Sequence, residues 1–93
     1  MVYCISYDMK NPNRNFEELH ESIKSFGPWW HQTGSVWLVA SSKTSVELRD
    51  YLKQYIDKGD LLFVIAVKPQ WAAVGFTQEE YNWIKGLPDN YWE

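Results

Sequence analysis

Apolar residues follow two different periods in the first third of the chain, and each period predicts one kind of element. Residues 2–8 read VYCISYD, so odd positions point to one face of a strand and even positions to the other. After Asn15, apolar residues recur every three or four positions, which predicts a helix. Asn15 can cap its first turn, and Gly27 followed by proline ends it.

The middle of the chain predicts a hairpin, a second helix and a fourth strand. Two β-prone runs within residues 29–40 flank a turn at Gly34, which is the pattern of a hairpin. Thr44 and Glu47 have the spacing of a capping box, so a second helix is predicted to begin there. Residues 61–67 are seven consecutive apolar residues, which predicts a strand that is buried on both faces.

The order of these elements, βαββαβ, predicts an α+β fold of the ferredoxin-like type. Such a fold has a four-stranded antiparallel sheet with both helices on one face, so its other face is uncovered. Residues 69–93 offer a short strand at 71–74 and a short helix that begins at Thr77, where Thr77 and Glu80 have the spacing of another capping box. We therefore predict one domain, with a core at 1–68 and a C-terminal extension at 69–93. The extension either folds over its own sheet or reaches a partner.

Composition and charge narrow the classes of partner. The 93 residues carry a net charge of −3, which argues against sequence-blind coating of duplex DNA. The whole excess of acid lies in the last 25 residues, because residues 1–68 hold eight basic and eight acidic side chains. No apolar run approaches the roughly 20 residues that span a bilayer, so we expect no membrane partner. The single cysteine, Cys4, and a start without signal-peptide features predict a cytoplasmic protein.

Several short features together resemble the CRISPR-associated protein 2 family, small ferredoxin-like dimers that accompany the CRISPR integrase. They are a first strand that ends in Tyr7 and Asp8, a helix that ends at Gly27, a strand that begins Ser-Val-Trp at 35–37, and the apolar fourth strand. The resemblance covers residues 2–67. The chain looks closer still to small orphan relatives, sometimes labelled SinR-like, that begin with a similar strand and are rich in tryptophan.

The resemblance implies a homodimer packed through the open sheet faces, with C-terminal strands that extend the partner's sheet. It also implies that Asp8 faces its symmetry mate near the twofold axis. In members reported to cleave nucleic acid, that aspartate pair is taken to hold a divalent metal, here Mg²⁺ or Mn²⁺. Two departures stand against duplex-DNA handling: the loop after Asp8 offers only Lys10 and Arg14 as cations, and an acidic aromatic tail follows from Trp71.

Asp8 is the candidate catalytic and metal-binding residue. Mg²⁺ takes oxygen ligands, usually one or two carboxylates completed by water and phosphate. One carboxylate per chain therefore suffices only if the twofold axis of a dimer brings the Asp8 of the second chain to the same ion. The alternative is that Asp8 caps the following loop. The two histidines, His20 and His31, are too few for a zinc cluster, and His31 is expected to pack or to hydrogen-bond rather than transfer protons.

Six tryptophans exceed what so small a core needs, and they fill either the dimer interface or a surface that stacks on bases. The expected function is a nucleic-acid- or nucleotide-binding homodimer, with metal-dependent endoribonuclease activity left open. One alternative is a non-enzymatic sponge that sequesters a cyclic or short oligonucleotide signal, as an immune antagonist would. Another is a protein-interaction module that uses the acidic tail. The candidate ligand-binding residues are Lys10, Asn11, Asn13, Arg14, Trp29, Trp30, His31 and Ser35.

Overall fold

The computed structural model describes residues 1–10 and 16–92. The predicted βαββαβ order is confirmed, and a third helix follows it. Two short 3₁₀ turns, at Lys53–Tyr55 and Asp89–Trp92, complete the described elements. The strands and helices are β1 (Val2–Asp8), α1 (Glu17–Lys24), β2 (Trp29–Thr33), β3 (Val36–Ala40), α2 (Ser45–Leu52), β4 (Leu61–Val67) and α3 (Gln78–Lys85).

Local sequence signals explain where the second and third helices begin. Thr44 precedes α2, and its hydroxyl accepts from the Glu47 amide while the Glu47 carboxylate accepts from the Thr44 amide. Thr77 and Glu80 form the same reciprocal pair at the start of α3. Both predicted capping boxes are thus confirmed. The predicted cap of α1, Asn15, lies outside the described residues.

The four strands form one antiparallel sheet in the order β2-β3-β1-β4. Strands β1 and β2 therefore run in the same direction with β3 between them, and α1 connects them across β3. Helix α2 makes the equivalent connection from β3 to β4 across β1. This arrangement is compatible with the predicted ferredoxin-like fold.

The main core lies between the sheet and helices α1 and α2. The odd residues of β1, namely Tyr3, Ile5 and Tyr7, are buried beneath the two helices on what we call the helix face. Trp37 and Val39 of β3 share that face, because they pair with Ile5 and Tyr3. Each helix contributes one apolar face. The buried helix residues in this core are Leu19, Ile23, Leu48 and Leu52.

The C-terminal extension folds over its own sheet and covers the β2 side of the second face. Trp30 lies on this face, because its pairing residue Leu38 is opposite Cys4 in β1. Its side chain is only 9% exposed, and its indole N–H donates to the carbonyl of Glu80 in α3 at 3.0 Å. The ring of Phe76 packs against the same indole with ring centroids 5.3 Å apart. The β2 side of the second face is therefore closed by the chain itself.

Two expectations about the strands were wrong. Residues 68–77, all of which the structure describes, contain no β-strand, so the strand predicted at 71–74 is absent. A strand forms only by pairing with a neighbouring strand, and residues 68–77 take no part in the pairings of the sheet. Strand β4 is not buried on both faces: Leu61, Phe63 and Ile65 are 63%, 60% and 46% exposed on the second face. The reason is topological, because β4 is an outer strand and α3 packs at the opposite side of the sheet.

None of the helices within residues 1–10 and 16–92 has the length and apolar character to cross a bilayer.

Candidate ligand-binding end of the sheet

Asp8, the candidate catalytic residue, is exposed at the end of β1. It pairs with Leu61 of β4, and two residues earlier Ser6 pairs with Phe63, so all four side chains share the second face. An open groove of about 330 Å³ runs along these residues. The carboxylate therefore stands at the rim of the uncovered apolar surface formed by Leu61, Phe63 and Ile65, which we call the exposed apolar strip.

Hydrogen bonds fix the path of the chain just after Asp8. The backbone N–H of Lys10 donates to the carboxylate of Asp60 at 2.9 Å, and the other oxygen of that carboxylate accepts from the N–H of Asp57 at 2.9 Å. The loop before β4 thus holds the exit of β1 in place. Lys10 itself is exposed to solvent. Asn11, Asn13 and Arg14, also predicted to bind ligand, lie outside the described residues.

Behind Asp8, on the helix face, lies a group of rings that we call the aromatic cluster: Tyr7, Phe16, His20, His31 and Trp37. The hydroxyl of Tyr7 lies 2.7 Å from Nε2 of His20, and the indole N–H of Trp37 donates to the same hydroxyl at a long 3.5 Å. Phe16 stacks on His20 one helical turn later, with centroids 5.8 Å apart. The cluster packs α1 and the residue before it against the C-terminal end of β1.

The environment of His20 favours the neutral imidazole. Burial lowers its pKa below the usual value of 6.5, and the nearby His31 and Lys24 lower it further, while Glu21 acts in the opposite direction. The hydrogen bonds agree with this direction. If Trp37 donates to the Tyr7 hydroxyl, that hydroxyl can donate its own hydrogen to an unprotonated Nε2 of His20.

His31 and Ser35 have structural partners near this end of the sheet. The His31 ring stacks on Trp37 with centroids 3.8 Å apart, and its Nε2 donates to the carbonyl of Gly34 over 2.6 Å. Ser35 precedes β3, and its carbonyl accepts from the Tyr7 N–H at 3.2 Å. Both residues are therefore close to the end of β1, although His31 lies on the face opposite Asp8.

Trp29 and Trp30 do not form one stacking surface. Adjacent residues of a strand point to opposite faces, so Trp29 lies on the helix face and Trp30 on the second face beneath α3. Trp30 is also too buried to receive a base. Trp29 aligns through Val39 with Tyr3, and is therefore about 17 Å along the sheet from Asp8. The structure thus places Ser35 on the β3 side of the end of β1 and Lys10 against the loop before β4, and both tryptophans lie farther along the sheet from Asp8.

Within one chain, the described residues around Asp8 supply too few ligands for Mg²⁺ or Mn²⁺. Within the described part of the chain, no three His, Cys, Asp or Glu side chains lie together as a metal-binding group. Asp8 is exposed and projects from an uncovered face, so a second copy of the chain could bring its own Asp8 to the same ion. The remaining ligands would be water and phosphate oxygens. The residues fit a divalent ion only as a site shared between two chains.

Comparison with models of known protein families found no match, and comparison with solved structures found no significant match.

The contact between Tyr7 and His20 is the feature of this region that the sequence analysis missed. Phe16 and His20 are four residues apart, a spacing that places two side chains together on one face of a helix. In the sequence, His20 falls beside the apolar stripe of α1, which is typical of a residue at the boundary of the core. The hydroxyl of Tyr7 as its partner depends on the way α1 packs on β1, which no local pattern encodes.

Proposed function

We propose that this chain is a ferredoxin-like homodimer that binds a nucleotide or a short nucleic acid without cleaving it, as a relative of the CRISPR-associated protein 2 family. The observation that carries the proposal is the exposed apolar strip of β4 with Asp8 at its rim. An apolar surface of this kind on an outer strand favours association with a partner. A partner that is a second copy also places two Asp8 carboxylates near each other.

Burial of the exposed apolar strip would stabilise a dimer, but its free energy alone does not exceed the cost of association by enough for a stable one. Full burial of a Leu, Ile or Phe side chain contributes about 1.5–3 kcal/mol, so burial of the exposed fractions contributes roughly 4 kcal/mol per chain and roughly 8 kcal/mol for the two chains of a dimer. Association costs about 4–15 kcal/mol in lost translational and rotational freedom. Further contacts are therefore required at the interface.

Residues 68–76 are suited to supply those contacts. This segment follows β4 directly, contains the exposed side chains Trp71 and Val74, and forms no strand within its own chain. The free edge of a partner's β4 would offer it a row of backbone donors and acceptors. The absent C-terminal strand is then explained, because its pairing edge belongs to the other protomer.

Binding without turnover fits the chemistry of the Asp8 end. Each chain supplies one carboxylate that could share a metal ion, and Lys10 supplies an exposed ammonium group that could contact phosphate. Among the described residues near Asp8, none is placed as a general base for a nucleophile: His20 and His31 lie on the opposite face, and the Asp60 carboxylate accepts two backbone N–H groups. The arrangement favours a sponge for a short or cyclic oligonucleotide over an endoribonuclease.

The dimer is tested by light scattering on the wild-type chain and on Phe63→Ser. The wild type is expected at twice the chain mass of 11.0 kDa, and Phe63→Ser at the chain mass. Tyr51→Ser is the control, because it removes a similarly exposed aromatic ring from α2 on the helix face. A wild-type monomer at micromolar concentration, or a dimer that Phe63→Ser leaves intact, contradicts the proposed interface.

The ligand is tested by titration with a labelled short RNA, a cyclic dinucleotide and a long DNA duplex, with and without Mg²⁺ or Mn²⁺. We expect one of the small ligands to bind more tightly than the duplex and to be recovered intact after denaturation. Cleavage that Asp8→Asn abolishes while the dimer persists would establish a metal-dependent nuclease instead. Tighter binding to the duplex with a steep dependence on salt would contradict the proposal and indicate general binding of duplex DNA through its phosphates.

A further inference from the structure

An open groove separates β2 from α3 on the side of the molecule away from β4. Its volume is about 450 Å³, and it follows the outer edge of the sheet. It combines indole rings with carboxylates, and it takes no part in the proposed dimer. We call it the β2–α3 groove. Its lining residues are Trp29, Trp30, Gln32, Thr77, Glu79, Glu80 and Trp83.

The charge of the β2–α3 groove is negative. Of the described residues that line it, two are acids and none is a base. Glu80 is held in the capping box, whereas Glu79 is exposed on the first turn of α3. A phosphate group would therefore meet repulsion in the groove, and a cation would meet attraction.

The indole of Trp29 already attracts an ammonium group. Lys24 lies over its ring at 4.9 Å from the centroid, a geometry in which the ring quadrupole favours positive charge. Lys24 also pairs with Glu21 at 3.5 Å, so its charge is shared. Trp83 supplies a second, half-buried indole from α3. A groove with aromatic walls and a free carboxylate has the chemistry that recognises Lys or Arg side chains.

The backbone adds a second attraction. β2 is an outer strand. Within the described residues it pairs with β3 on one side, and no strand pairs with its other edge. The register between β2 and β3 shifts between Trp30 and Thr33, so the regular part of this open edge is at Trp29 and Trp30. An extended peptide can pair with such an edge and place alternate side chains into an adjoining groove.

We propose that the β2–α3 groove docks an extended segment of a partner protein that carries arginine or lysine. The segment pairs with the outer edge of β2, and one of its cations lies against the indole of Trp83 and the carboxylate of Glu79, which are four residues apart on α3 and line the groove together. This docking surface is separate from the exposed apolar strip of β4. The dimer and the partner segment can therefore be bound at the same time.

Two blocked hexapeptides test the inference on the full chain labelled for NMR. One alternates valine with arginine, and the other alternates valine with glutamate. We expect the arginine peptide to shift the backbone amides of β2 and α3 and the indole N–H signal of Trp83, and the glutamate peptide to shift none of them. The shifts should shrink as salt is added, because the interaction is between charges at the protein surface.

Glu79→Gln and Glu18→Gln form a matched pair of variants. Each glutamate is the exposed second residue of its helix, but only Glu79 lines the groove. We expect Glu79→Gln to weaken binding of the arginine peptide about two- to fivefold, as removal of one exposed charge pair does. Glu18→Gln should leave the affinity unchanged.

Any of four results overturns the proposal. They are no shift at millimolar arginine peptide, equal shifts with the glutamate peptide, shifts that spread over the acidic surface of α1, and equal weakening by the two variants. A short RNA that shifts the same signals more strongly than the arginine peptide would assign the groove to nucleic acid.

Discussion

Mild acid is expected to destabilise this protein through His20. The hydrogen bond from the Tyr7 hydroxyl requires an unprotonated Nε2 on His20, and burial, His31 and Lys24 lower the pKa of His20 below 6.5. Because that pKa is lower in the folded chain, the unfolded chain binds the proton more readily. The free energy of unfolding therefore falls as the pH drops below about 6.5, and keeps falling until the pH passes the folded pKa.

The two carboxyl groups with shifted pKa values, Glu47 and Asp50, titrate below the pH range in which His20 acts. Hydrogen bonds from Thr44 and Arg49 lower the pKa values of Glu47 and Asp50, whose usual values are 4.5 and 3.8. Their contribution is complete above those usual values and is lost only as the pH falls below them. A change in stability between about pH 7.5 and pH 5 is therefore assigned to histidine.

The assay is urea unfolding of the wild type, His20→Gln and Tyr7→Phe at about pH 7.5 and pH 5. We expect the wild type to lose stability at the lower pH and His20→Gln to lose much less, because glutamine can accept from the Tyr7 hydroxyl without titrating. Tyr7→Phe should cost about 1–3 kcal/mol at the higher pH, since it removes the bond to His20 and leaves the buried indole N–H of Trp37 without an acceptor.

Equal pH dependence in the wild type and His20→Gln would refute this reasoning. It would mean that His20 titrates alike in the folded and unfolded chains. A Tyr7→Phe variant as stable as the wild type would refute the hydrogen-bond argument separately, since the ring that packs in the core is retained.

Two further predictions concern the second face and a glycine. Gly27→Ala should destabilise the fold by at least about 1 kcal/mol, because φ is +150° and the new Cβ would lie 2.2 Å from the Ala40 carbonyl oxygen. Gly34→Ala, with no atom within 4 Å of its Cβ, is the control in thermal unfolding, and equal midpoints would contradict the argument. Trp30→Phe should cost about 1 kcal/mol by removing the N–H bond to Glu80, and should speed hydrogen exchange in α3. Unchanged exchange there would show that this bond does not hold the tail.

The sequence by itself determined the elements and the core of the helix face. Periods of two and of three to four residues, the threonine–glutamate capping boxes and the glycine after α1 are local signals, because each depends on residues a few positions apart. They predicted the order βαββαβ, both capped helix starts and the helix at the C-terminus. The residues buried beneath α1 and α2 follow from the same periods.

Only the tertiary structure decided how the second face is used, because that depends on which strands are outermost and on where the tail lies. The uniform apolar run of β4 indicated burial on both faces, yet the strand order leaves it at an edge with Phe63 exposed. Trp29 and Trp30, adjacent in sequence, lie on opposite faces, and α3 buries one of them. Tyr7, the partner of His20, is 13 residues away from it in the sequence, and the two walls of the β2–α3 groove are about 50 residues apart. Only the folded chain brings such residues together, because a local pattern relates residues a few positions apart.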